Sequence, residues 1–150
     1  MTPDRREFLI AGGAAVAGLA TAKSTFAADD PESFIHEHVL KMRPLELAGN
    51  RAWWDANTSG KDEDFKRKED CQNKIDSALA DKKMFGRAKT MFEKRAAITD
   101  VKVKRQIELL YLQYLEKQVD PELMKKMTAK ANAVEQAFNV FRPNVDGKEM

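Results

Sequence analysis

One cysteine, Cys71, is all that the 150-residue chain contains, so no disulfide can form within it. Histidine is nearly as scarce. His36 and His38 leave little material for a metal site or an acid–base pair. Seven glycines and five prolines are few, which disfavours an all-β fold with its many tight turns. A surplus of one charge is lacking too: 26 basic residues against 24 acidic ones leave +2, whereas a nucleic-acid binder collects a clear basic excess on one face. The single long apolar run, Phe8 to Ala22, is about 15 residues, short of the ~20 that span a bilayer. What is present is 43% hydrophobic residues, too many for a disordered tail, in a length that suits one helical domain.

The first 27 residues have the three-part layout of an export signal. A charged start (Asp4, Arg5, Arg6, Glu7) precedes the apolar run, and Lys23-Ser24-Thr25-Phe26-Ala27 follows it. Arg5 and Arg6, with Phe8 and Leu9 close behind, resemble the twin-arginine signature, and the Ala- and Gly-rich core with Lys23 near its end fits that route. Cleavage is expected after Ala27, between small flanking residues, leaving 28–150 as the mature chain. The alternative is an uncleaved amphipathic or membrane-anchoring N-terminus. Twin-arginine cargo crosses the membrane folded, which suits a chain with one cysteine and places it in the periplasm or outside a bacterium.

Beyond the signal, helix punctuation dominates. Asp30-Pro31-Glu32 and Asp120-Pro121-Glu122 each combine a capping carboxylate, a first-turn proline and an acid at the positive end of the helix dipole. Asn57-Thr58-Ser59-Gly60 is a stop, Ser59 with Asp62 a capping-box-like restart, and Thr99-Asp100 another cap. Pro143 and Asp146-Gly147 close the last helix. These signals place helices near 31–57, 62–80, 82–96, 100–118 and 121–142, with Pro44 kinking or dividing the first. The expected fold is all-α, an antiparallel array of about five helices.

Apolar spacing predicts the buried faces. The last helix carries Leu123, Met127, Ala131, Val134, Phe138 and Phe141 in one stripe, and the third has Met84, Phe85, Ala88, Met91 and Phe92. The second is thin, with Phe65, Ile75 and Leu79 among many charges, and is expected on the surface with one edge docked. The fourth has a stripe of Val103, Ile107, Leu110 and Tyr114, yet Leu109, Leu112 and Leu115 occupy other faces. A helix apolar nearly all round calls for more partners than five short helices supply. Lys66-Arg67-Lys68 and Lys82-Lys83 are broken by acids and read as solvated faces.

Catalytic patterns are missing. His36 and His38 are two apart, about 200° around a helix, so both rings cannot easily hold one ion. No His-Glu-x-x-His, no Glu-x-x-His, no Cys-x-x-Cys-His, no glycine-rich phosphate loop and no Gly-x-Ser-x-Gly elbow occurs. Cys71 reads as a small packing residue. The least ordinary segment is Asn50 to Gly60, where Trp53 and Trp54 stand side by side at a helix end. On residues alone they read as anchors wedged against neighbouring helices, or else as part of a binding surface.

The signal, a first helix ending in Ala52-Trp53-Trp54-Asp55-Ala56-Asn57-Thr58, and Ile98-Thr99-Asp100 followed by Lys104-Arg105-Gln106-Ile107 together resemble the N-terminal part of the peptidyl-dipeptidase A family, the angiotensin-converting-enzyme-like zinc peptidases. Asp120-Pro121-Glu122-Leu123 and the stripe from Val134 to Phe141 resemble the helix after that family's leucine–proline turn. The likeness covers roughly 31–145 and rests on helix-end signatures. It implies a two-lobed, all-helical peptidase with a deep channel, whose first helices form a lid and whose zinc-bound water releases C-terminal dipeptides. The zinc ligands and general base of that family have no counterpart in this sequence. Trp53, Trp54 and Asn57 would then be packing or channel-rim residues of the lid.

Two functions therefore stand as expectations. One is the N-terminal lid region of an exported zinc peptidyl-dipeptidase, truncated and inactive alone, with zinc and a peptide substrate belonging to the full-length form. The other is a stand-alone periplasmic helical bundle that binds a partner, or itself, through exposed apolar faces. No metal or other cofactor is expected in this chain, no nucleic acid, and no transmembrane helix in the mature part.

Overall fold

The computed structural model describes residues 30–149. The signal residues Arg5, Arg6, Phe8 and Leu9 and the expected cut after Ala27 lie outside the described residues. The fold is all-α. Five helices follow in order: α1 (Pro31–Ser59), α2 (Asp62–Leu79), α3 (Lys82–Glu93), α4 (Val101–Leu115) and α5 (Pro121–Val140), with a 3-10 turn at Arg95–Ala97 between α3 and α4. Among the described residues no helix is long and apolar enough to cross a membrane.

The caps explain most boundaries. Asp30, Asp81, Asp100 and Asp120 each accept hydrogen bonds from the first-turn amides of the helix they precede. Gly60 ends α1 in the left-handed region, φ 68°, where its amide still reaches the Ala56 carbonyl. Ser59 belongs to the last turn of α1 rather than capping α2. Its hydroxyl sits 2.5 Å from the Asp64 carboxylate, and α2 starts after Lys61 without a side-chain cap. Pro44 does not divide α1, which runs unbroken for 29 residues. The proline lies on the exposed side, so the hydrogen bond that its missing N–H forgoes is on the water-facing side of the helix. After α5 the chain closes in a hairpin of two-residue strands, Asn144–Val145 and Lys148–Glu149, turning through positive φ at Asp146 and Gly147.

The main helix contacts run in the order α3, α4, α1, α2, α5. The core joins Phe34 and Met42 of α1, Leu79 of α2, Met84, Ala88 and Met91 of α3, and Ile107 and Tyr114 of α4. Beside it, Tyr111 stacks on Phe92 at 4.2 Å and on Phe85 at 6.0 Å. The stripes expected on α3 and α4 thus face inward. Helix α2 is more than an edge-docked surface helix, being held between α1 and α5. Small residues on α1 admit it closely: Ala52 and Ala56 are buried, and a Cβ at Gly49 would stand 3.0 Å from the Ile75 side chain. Leu109, Leu112 and Leu115 of α4 stay exposed, as expected of a helix with too few partners.

Candidate functional site

Helix α5 is inside-out. Thr128, Asn132, Glu135 and Asn139 recur four, three and four residues apart and share one face. That face, and not the apolar stripe, meets α2. Asn132 is the one buried residue of α5; its amide donates to the Phe65 carbonyl at 3.2 Å, and its Oδ1 accepts from Lys68 at 3.2 Å. Lys68 also pairs with Glu135. Further along, the buried Asp76 accepts from Thr128, Gln72 and Lys117, each at 3.1 Å. Gln136 donates to Asp62 at the far end. The expectation that Lys66-Arg67-Lys68 is one solvated face holds for Lys66 and Arg67 only, because Lys68 is drawn into this seam.

A groove of about 400 Å³ follows the seam, with Trp53 at one end and Lys117 at the other. Trp53 and Asn57 converge on Glu135: the indole and the Asn57 amide both hydrogen-bond its carboxylate, the latter at 3.1 Å. Asn57 also donates to the Trp53 carbonyl and accepts from Asn139. Burial pushes the Glu135 carboxyl up, but the hydrogen bonds from Lys68, Asn57 and Trp53 and the Lys68 charge outweigh it, holding the group below the usual carboxylate range. Burial likewise lowers Lys117, and its bonds to Asp76 and Glu116 more than reverse that. These charges are engaged with one another, which suits them to holding a helix rather than to moving a substrate's proton.

Of the residues singled out in the sequence, Trp53 and Asn57 thus come together, and Trp54 does not join them. Trp53 is 49% exposed and Trp54 64%, so neither is the buried wedge that adjacent tryptophans first indicate. Sequence reasoning missed Lys68, Asp76, Thr128, Asn132 and Glu135. The signal was the polar stripe of α5, which the cleaner apolar stripe beside it obscured.

The histidines separate as their spacing requires. His36 is exposed, while His38 is buried with its Nδ1 at 3.1 Å from the Tyr114 hydroxyl. Burial, reinforced by Lys41 and opposed by Glu46, lowers the His38 pKa, and burial pushes Tyr114 up to about 12. Among the described residues no group of three or more His, Cys, Asp or Glu side chains could hold a metal ion.

The outer face of α5 holds the stripe expected in the core. Val134 is 71% exposed and Phe138 85%, with Leu123, Met127 and Phe141 beside them. Lys126 and Lys130, three residues after Leu123 and Met127, flank the stripe, and neither makes an ion pair among the described residues. Compared with protein-family models, curated proteins and solved structures, the chain matches nothing.

Proposed function

We propose that this chain is a helical docking module, and that the outer face of α5 seats on a partner helix surface that is apolar at its centre and carboxylate-bearing at its edge. The inversion of α5 carries the reading. A helix that spends its polar face on its own protein and turns Leu123, Met127, Val134, Phe138 and Phe141 to water has a second contact to make. Lys126 and Lys130 give that contact its sign.

A synthetic amphipathic helix with Leu along one face and Glu on its flanks tests this directly. It should bind the full chain and lose at least about tenfold in affinity to a Val134→Asp/Phe138→Asp variant, while its Lys-flanked counterpart binds more weakly. Equal binding of both peptides, or binding unaffected by the substitutions, overturns the proposal.

A second reading gives the partner a definite form. On this reading, which rests on the resemblance to the peptidyl-dipeptidase family, the chain is the lid region of an exported zinc peptidase, with the metal-bearing helices covering α4 and α5 and peptide hydrolysis belonging to the whole. The placement of Trp53 on the groove, with Asn57 bonded to the Glu135 carboxylate that lines it, favours this reading, since these are the residues in which the likeness is densest. Co-sedimentation of the full chain with the zinc-bearing portion of such a peptidase is the expected result; no association would set this reading aside while leaving the docking module standing.

A further inference from the structure

A second cleft, remote from the α2–α5 seam, lies between the first turn of α1 and the α3–3-10 segment, with a volume of about 590 Å³. Its apolar lining comes from Pro31, Met91 and Ile98. Lys82 and Lys83 stand at one end of it and Lys94 at the other, Arg87, paired with Glu37, lies on the wall between them, and no carboxylate lines it. Of the acids near it in sequence, Asp30 caps α1, Asp81 caps α3 and pairs with Lys41, Glu37 pairs with Arg87 and Glu93 lies 4.0 Å from Lys89, while Glu32 makes no ion pair among the described residues. Among the described residues the three lysines make no ion pair. A cleft lined by cationic side chains and by no carboxylate carries a positive potential, which favours an anion.

Gly86 adds an independent observation. It stands on the cleft wall in the middle of α3, where glycine costs a helix about 1 kcal/mol relative to alanine. A Cβ there would meet nothing within 4 Å, so packing inside the protein does not require the glycine. Bare backbone on the wall of a charged cleft leaves room for a ligand's approach.

We propose that this cleft binds a small organic anion: an acidic head held by Lys82 and Lys83 at one end, and an apolar body lying along Gly86 towards Met91 and Ile98. A concave site of this volume takes a small molecule rather than a protein surface. The proposal is independent of the docking reading of α5.

Calorimetric titration of the full chain with decanoate, below its micelle concentration, tests it alongside decanamide and acetate. Saturable binding of decanoate is expected, with both controls at least about tenfold weaker, because one lacks the charge and the other the body. Gly86→Leu starts from a Cβ with open space around it and projects into the cleft, so it should abolish binding at an unchanged or raised melting temperature. Lys82→Glu/Lys94→Glu should weaken binding by a similar factor. Val134→Asp/Phe138→Asp should leave it unchanged. No saturable binding, equal binding of decanamide, retention by Gly86→Leu, or loss on substituting Val134 and Phe138 would each overturn the assignment, the last by placing the anion on α5.

Discussion

His38 shows how one buried side chain couples this fold to pH. The ring is packed edge-on to Tyr114, with ring centroids 5.6 Å apart, and its pKa lies below the ordinary 6.5. Above 6.5 the ring is neutral in folded and unfolded chains alike. As pH falls, the unfolded chain takes up the proton first, so stability is lost between 6.5 and the depressed folded value. The melting temperature should therefore fall from about pH 7 to about pH 5, and His38→Gln should flatten that slope. Glu135 acts at lower pH. Its carboxyl is depressed from 4.5, so its contribution is present above 4.5 and lost in stronger acid. Aromatic residues divide by exposure rather than by size. Phe34→Ala should cost about 3–5 kcal/mol in denaturant unfolding, whereas Trp54→Ala should stay within about 0.5 kcal/mol, since its indole is largely in water.

Among the elements, α5 is held differently from the rest. Helices α1, α3 and α4 share an apolar core, while α5 rests on α2 through Asn132, Thr128 and the Lys68–Glu135 pair, with Lys117 of the turn before it paired to Asp76 alongside. Polar contacts at a seam open to water hold less firmly than buried apolar area, so amides of α5 should exchange hydrogen faster than those of α1 and α4. Raising the salt concentration should widen the difference by screening the pairs; equal protection across all helices would contradict this account. Asp76→Ala should cost about 3 kcal/mol, because it leaves Lys117 and Thr128 without their shared acceptor in a largely dry position. The limits of these elements were largely legible in the sequence. Asp30, Asp100 and Asp120 cap the expected helices, and each does so by the mechanism its side chain indicates. The exceptions are local. Ser59 continues α1 for two residues, and α3 gives way at Lys94 to the 3-10 turn.

At the scale of the molecule, apolar surface is left over on two sides. Leu109, Leu112 and Leu115 of α4 and the stripe of α5 remain uncovered by the described helices. A protein with such faces associates as its concentration rises. Sedimentation should show this for the unaltered chain, and Val134→Asp/Phe138→Asp should suppress it without lowering the melting temperature, because neither side chain supports the core. The candidate site was less legible than the fold. Trp53 and Asn57 were conspicuous as residues, but their partner Glu135 lies 78 positions beyond Asn57, and only the packing of α5 brings them together.

The sequence alone settled that this protein is built from helices, where most of them begin and end, and which side chains share a face. Those properties follow from caps, prolines and the 3.6-residue period, all of which act within a few residues. Which face of α5 turns inward was decided only in three dimensions. Periodicity divides a helix into two faces but carries no information about the neighbour either one will meet. Here that neighbour is α2, whose Lys68, Gln72 and Asp76 offer charge and hydrogen bonds in place of a hydrocarbon surface. Burying Asn132 against them satisfies both helices, and leaves the apolar stripe facing outward.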